Sequence, residues 1–196
     1  MKPNDYLCAA KAVYLNFQAD FVDILKEGYK NTDLELTVNK EIRSFVANLE
    51  LLVQCILLHI GLSDNDLSDN EKSFIYEIAN VKNSLMDYIR AELGDDSYEL
   101  ENISKQNEKN RIKFVESIDE IVLNSVDKIA TLLAPILKKD KDNEIYNISL
   151  DRLFFISEMF MKCDGQSTQE AKSVAETINK LYAIPLLSCV ENYKKQ

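Results

Sequence analysis

The chain has 196 residues and a net charge of −10 at pH 7, because 33 Asp and Glu outnumber 23 Lys and Arg. At 46% hydrophobic residues it can bury a core without disulfides or a structural metal. Its four Gly and three Pro are too few for the turns of a β-sandwich or barrel, which leaves an all-α fold. The acidic balance also argues against nucleic acid as a partner, because phosphate binding requires a clustered basic surface.

The start of the chain does not have the pattern of a secretory signal, because Asp5 and Lys11 flank too short an apolar stretch. The longest apolar run, residues 51–62, is shorter than the roughly 18 residues typical of a transmembrane helix. We therefore expect a cytoplasmic protein without a transmembrane segment. The four cysteines are far apart and form no CxxC pair, so they are expected to be reduced and not to bind zinc.

Apolar residues recur every three or four positions along most of the chain, as is typical of amphipathic helices. The expected helices cover residues 5–29, 37–60, 69–93, 106–137, 149–162 and 168–185, with a short last helix at 186–193. The second helix is apolar almost all round, which places it at the centre of the fold. Pro135 should kink or end the fourth helix.

These helices predict a single all-helical domain over residues 1–196, a bundle of six to seven helices. Two segments have the same layout, residues 34–93 and residues 149–193. We interpret them as two pseudo-symmetric helix–loop–helix halves, joined by the long helix at about 106–137.

Two helix–loop–helix junctions, residues 57–75 and 157–174, carry the repeat. An offset of 99 residues aligns Ser68 with Ser167 and Glu71 with Glu170. Both junctions read S-x-x-E, the capping box, in which the serine hydroxyl and the glutamate carboxylate each accept a backbone N–H of the other residue. The carboxylate also lies at the positive end of the helix dipole. Helix capping alone can explain the pattern. The acidic residues before each serine also allow a second interpretation, a ligand-binding site.

Residues 163–170 read CDGQSTQE and stand between an apolar helix and an amphipathic one. The motif D-G-x-S-x-x-E in this setting resembles the signature of the TerB-like family, named after tellurite-resistance protein B. Residues 65–71, NDLSDNE, are similar, with Asn-Asp in place of Asp-Gly. The resemblance implies a compact helical bundle with two such junctions in internal pseudo-symmetry. It also implies a role in resistance to tellurite or other stress.

The resemblance further implies that acidic loop residues hold a divalent cation, Ca²⁺ or Mg²⁺. Carried over to this sequence, with one local addition at position 64, the candidate metal ligands are Asp64, Asp66, Glu71, Asp164 and Glu170. An EF-hand does not fit, because Ile75 and Ala175 occupy the position of its bidentate glutamate. Without an ion, these residues would serve helix capping together with Ser68 and Ser167.

The single histidine, His59, lies in an apolar stretch and fits a core position better than a catalytic one. No catalytic or cofactor-binding residues are assigned. We predict a non-enzymatic protein that acts by contacts with a protein partner the sequence does not identify. Two alternatives stay open: a helical enzyme with a bundle pocket that uses His59 and carboxylates, and a helical adaptor or homodimer that uses the near-heptad stripe of the fourth helix.

Overall fold

The computed structural model describes residues 2–30, 38–64, 66–79, 84–93, 103, 105–137, 139–140, 143–165 and 168–195. Its α-helices are α1 Pro3–Tyr29, α2 Val38–Gly61, α3 Asp69–Ile78, α4 Ser84–Leu93, α5 Glu108–Leu137, α6 Glu144–Met161, α7 Thr168–Ile178 and α8 Ile184–Lys195. A π-helical turn, Asn179–Ala183, joins α7 to α8 without a break, so the described helices make seven rods. The described residues contain no strand. This confirms the predicted all-α bundle of six to seven helices.

The prediction of one continuous helix over residues 69–93 is wrong. α3 ends at Ile78, and Ala79 follows with φ −106° and ψ 9°. α4 begins at Ser84, and residues 80–83 lie outside the described part. The apolar spacing of Ile78, Val81 and Leu85 runs on through this interruption. Hydrophobic periodicity therefore could not reveal it.

α6 begins at Glu144, five residues before the predicted start. The carboxylate of Asp140 accepts the backbone N–H groups of Glu144 at 3.0 Å and of Ile145 at 3.1 Å. These bonds satisfy two of the donors that a helix start leaves without an intrahelical partner. The start of α6 is thus set by a carboxylate outside the helix, four residues before it.

α2 lies at the centre of the bundle, as predicted, and packs against α1, α3, α5, α6 and α7. By length and composition alone the stretch Asn39–Asp64, whose most apolar 18-residue window has a mean hydropathy of 1.8, could cross a membrane. However, 67% of its most apolar window is buried inside the fold. A buried core helix meets the same criterion, so the apolar character of α2 is explained by its position in the bundle.

The hairpins α2–α3 and α6–α7 pack reciprocally. α2 contacts α7, α3 contacts α6, and the two first helices also contact each other. α7 begins 99 residues after α3, which is the offset of the sequence repeat. When two like units are related by a two-fold axis, each contact from one to the other has a counterpart in the reverse direction. These contacts are reciprocal, while the pseudo-symmetry of the two halves stays a prediction.

The two prolines inside helical segments have different consequences. α5 ends at Leu137, two residues after Pro135, in line with the expected helix end. Pro185 is preceded by the π turn, where the Ile184 N–H donates to the Asn179 carbonyl. Since proline lacks an N–H and clashes with the carbonyl four residues back in a regular α-helix, the wider turn lets the rod continue to Lys195.

The near-heptad stripe of α5 faces the interior. Its central members are at most 1% exposed: Ile118, Val122, Ile129 and Leu133. α2 and α8 are the helices packed most extensively against α5. A homodimer that used this stripe would have to displace them, so the stripe is not a free surface.

Candidate functional site

The first predicted capping box is present. The Ser68 hydroxyl accepts the Glu71 N–H at 3.1 Å, and Glu71 Oε2 accepts the Ser68 N–H at 2.7 Å. Ser68 has the extended backbone of an N-cap, with φ −67° and ψ 162°. In the second junction Ser167 lies outside the described residues, whereas Glu170 is described.

The glutamates of the two junctions meet. Glu71 and Glu170 are each 3% exposed, and the Glu170 carboxyl lies close enough to Glu71 to raise its pKa. Burial, in the first place, and the Glu170 carboxyl raise the pKa of Glu71 to about 8, although its bond with Ser68 acts in the opposite direction. Among the described groups no donor reaches Glu71 Oε1. The raised pKa means that Glu71 itself holds a proton at neutral pH, which it can donate to the neighbouring carboxyl.

The surroundings of this carboxyl pair are tightly packed and acidic. Gly61, the last residue of α2, leaves no room for a side chain: a Cβ there would lie 2.7 Å from Leu67 Cδ1 and 3.5 Å from Glu71 Oε1. Asp164 adds negative charge that also raises the pKa of Glu71. Burial and then the three carboxylates raise the pKa of the Cys163 thiol to about 12. The centre therefore favours the uptake of positive charge.

The remaining candidate ligands, Asp64 and Asp66, are exposed and act locally. Asp64 Oδ1 accepts the Asp66 N–H at 3.0 Å, and Asp66 Oδ1 accepts the Leu67 N–H at 2.9 Å. In the described ranges no three side chains of His, Cys, Asp or Glu converge into a group that could hold a metal ion. The structure thus brings together Glu71 and Glu170, with Asp164 close by. The other two aspartates accept backbone N–H groups in the turn before α3.

A second polar cluster, of which the sequence analysis named only His59, joins α2, α5 and the π turn. His59 Nδ1 lies 3.1 Å from Asp119 Oδ1, and Lys180 Nζ lies 2.9 Å from Asp119 Oδ2. Burial acts to raise the pKa of Asp119, but the nearby His59 and Lys180 side chains prevail and lower it. No spacing in the sequence relates these three residues, because each belongs to a different element.

The same cluster bears on the enzyme alternative, since Cys55 lies one helical turn before His59. Cys55 is fully buried, and burial together with the charge of Asp119 raises its pKa far above the ordinary value. A thiolate, not a thiol, is the nucleophile in cysteine chemistry. Cys55, His59 and Asp119 are the residue types of a catalytic triad. The buried Cys55, however, stays a thiol and is not a ready nucleophile.

Comparison of the chain with protein-family models, with curated proteins and with solved structures finds no match. The TerB-like resemblance therefore rests on the residues of the two junctions.

Ser68→Ala should destabilise the protein by about 1 kcal/mol, because the Glu71 N–H loses its acceptor at the start of α3. Urea unfolding followed by circular dichroism measures the change. Ser117→Ala is the matched control, since this hydroxyl donates to the Lys113 carbonyl within α5 and caps no helix. Equal effects of the two substitutions would show that the capping box does not stabilise the junction.

Proposed function

We propose that this protein is a non-enzymatic, cytoplasmic, TerB-like helical bundle that acts through protein–protein contacts in stress or tellurite resistance. In this proposal Glu71 and Glu170 form a centre that binds a proton or a divalent cation where the two halves meet. One observation carries the proposal: glutamates at equivalent positions of two repeated junctions are buried against each other. The D-G-x-S-x-x-E motif at residues 164–170 supports the family assignment.

The chemistry of the pair supports a hard cation as the alternative to a proton. Two carboxylates in contact cannot both stay ionised at low cost unless positive charge neutralises them. Ca²⁺ and Mg²⁺ prefer oxygen ligands, and Mg²⁺ is often held by only one or two carboxylates with waters completing its shell. Glu71 and Glu170 would supply those carboxylates, and Asp164 would add to the attraction.

Thermal unfolding with added Ca²⁺ or Mg²⁺ tests the cation. An ion that binds only the folded state raises Tm by mass action. We expect a rise that grows with pH, because the ion must displace the proton that the raised pKa of Glu71 retains. The double variant Glu71→Gln/Glu170→Gln should lose the rise, whereas Glu77→Gln, on the exposed face of α3, should keep it.

Absence of any Tm shift at millimolar Ca²⁺ or Mg²⁺ would end the cation part of the proposal and leave the proton. An equal shift in the double variant would place the ion elsewhere on this acidic chain. The protein-contact part is tested separately, by affinity capture with the wild type and with a variant that alters the exposed acidic turn, Asp64→Asn/Asp66→Asn. Loss of a captured partner in that variant alone would support contacts through the junction.

A further inference from the structure

A groove of about 410 Å³ lies between α1 and α6, and we call it the α1–α6 groove. Its floor is apolar and is formed by Phe21 and Ile24 of α1 with Ile145 and Ile148 of α6. These four side chains line one and the same cavity, so the apolar surface is contiguous. Its volume lies within the range of cavities in which proteins bind ligands.

The rim of the α1–α6 groove is acidic. Asp20, Asp23 and Glu27 of α1 line it, and no basic side chain among the described residues does so. Their spacing of three and then four residues places the three carboxylates on one face of the helix. The resulting acidic stripe runs along the apolar floor for roughly 10 Å, about two helical turns.

The ion pairs within α1 leave this stripe available. Asp23 pairs with Lys26 and Glu27 pairs with Lys30, each with a residue three positions along the same helix. The two acids nevertheless keep 76% and 77% of their side chains exposed. Exposed pairs of this kind contribute little to stability. Both carboxylates can therefore pair with a cation that approaches from outside.

The charge around the α1–α6 groove is negative on balance. The two stretches that form and flank it, residues 20–27 and 144–152, contain five acidic and two basic residues, a net charge of −3. One of the two basic residues, Arg152, is held by Asp20 at one end of the groove. A cleft lined by one sign of charge concentrates ligands of the opposite sign.

We propose that the α1–α6 groove docks a basic amphipathic helix of a partner protein. Such a helix binds by placing apolar side chains, spaced three or four residues apart, in a hydrophobic groove. The acidic stripe has the same spacing, so Lys or Arg residues beside the apolar anchors would lie opposite it. A second copy of this chain fits less well, because it would bring its own net charge of −10 against the rim.

The α1–α6 groove is far from the buried carboxyl pair. Leu7, near the start of α1, lines a small cavity with Cys163, whose pKa the carboxyl pair raises after the larger effect of burial. Leu7 and Ile24 are separated by roughly 25 Å along the helix. The docking proposal thus does not depend on the carboxyl pair, and the Glu71→Gln/Glu170→Gln variant should dock the helix as the wild type does.

Fluorescence anisotropy tests the docking with a labelled helical peptide of about 18 residues, which has leucines on one face and lysines on both sides of them. A peptide with the same residues in scrambled order keeps the charge but has no apolar face. The amphipathic peptide should bind the full chain at micromolar to submillimolar concentrations. The scrambled peptide should bind at least about tenfold more weakly, since only general attraction to an acidic protein remains.

Removal of two rim charges tests the place of binding. Asp23→Asn/Glu27→Gln should weaken binding of the amphipathic peptide at least about threefold. The difference from the wild type should shrink at high salt, which screens exposed charges. Glu116→Gln/Glu120→Gln is the matched control, because it removes two exposed carboxylates with the same spacing from α5. The control should bind nearly as tightly as the wild type.

A change in the floor tests the apolar contact. Ile148→Lys should abolish binding, because it places a cation where the apolar face of the peptide docks. Leu123→Lys, at a 45% exposed position on α5, is its control and should keep binding; circular dichroism shows whether each variant is folded. No binding of the amphipathic peptide to the wild type, equal binding of the scrambled peptide, or equal losses in the rim variant and its α5 control would each overturn the proposal.

Discussion

Replacing Glu71 by Gln should remove most of a pH dependence of stability that the wild type shows. The pKa of Glu71 is raised from 4.5 to about 8 in the folded protein, by burial first and then by Glu170. Between these two values the folded state holds a proton that the unfolded state has lost. The free energy of unfolding of the wild type therefore falls as the pH rises, with a slope of at most about 1.4 kcal/mol per pH unit for one proton.

The Gln variant should lack this slope because its amide is neutral at every pH. The amide can donate to the Glu170 carboxylate as the protonated Glu71 can, and its oxygen can accept the Ser68 N–H. At the low end of the range the variant should be close to the wild type in stability. At the high end it should be more stable, because the wild type then buries two adjacent carboxylates without a proton between them.

Urea unfolding of both proteins across the pH range from 4.5 to 8 measures the two slopes. Only the difference between the slopes is interpreted, since other groups titrate in both proteins. Glu170→Gln should reduce the slope in part, because the Glu170 carboxyl is one cause of the raised pKa of Glu71 while burial, the larger cause, remains. Glu77→Gln, which lies on the exposed face of α3, is the control and should keep the wild-type slope. Parallel curves for wild type and Glu71→Gln would mean that the pair holds no proton.

Gly61→Ala should destabilise the protein by a net amount of about 1–2 kcal/mol. The added methyl group would lie 2.7 Å from Leu67 Cδ1 and 3.2 Å from Phe160 Cζ. Overpacking of this kind costs about 1–3 kcal/mol, and the better helix propensity of Ala recovers at most about 1 kcal/mol. For a chain of this size the change corresponds to a fall in Tm of roughly 2–8 °C, measured by thermal unfolding.

A double-mutant cycle with Leu67→Ala separates the clash from other effects of the substitution. Truncation of Leu67 removes the nearest obstacle, so Gly61→Ala should cost less in that background than in the wild type. The coupling should be favourable and lie within the 0.5–3 kcal/mol typical of residues in contact. Additive costs would show that the close approach of α2 to Leu67 is not what requires glycine at this position.

The sequence predicted the fold class well because long amphipathic segments carry a strong periodic signal. α1 and α2 have nearly the expected bounds, and α2 is central, as its apolar surface indicated. The division into α3 and α4 was not predicted, because the apolar spacing continues through residues 79–83. Hydrophobic periodicity shows which side of a segment is buried, but not whether the helix is continuous. The start of α6 was predicted too late, because the residue that caps it, Asp140, lies four residues before the helix and not at the usual N-cap position.

The candidate site was predicted in part. The alignment of the two S-x-x-E junctions correctly gave the capping box of Ser68 and singled out Glu71 and Glu170. That these side chains touch could not be read from spacing, because it depends on how the two hairpins pack. One signal was available: equivalent residues near the axis of an internal two-fold must come close to each other. No comparable signal existed for His59, Asp119 and Lys180, which come from three unrelated elements.

The π turn before Pro185 has a consequence for how the last rod can stay buried. Along this rod the buried residues Val174, Ile178, Tyr182, Leu186 and Val190 recur every four positions. In a regular α-helix, with 3.6 residues per turn, such a spacing drifts sideways by about 40° at each step. The π turn at Asn179–Ala183 has more residues per turn than an α-helix, so it rotates the following residues in the opposite direction and offsets part of that drift. A straight rod can thus keep one face on the core for its whole length without coiling around its neighbours.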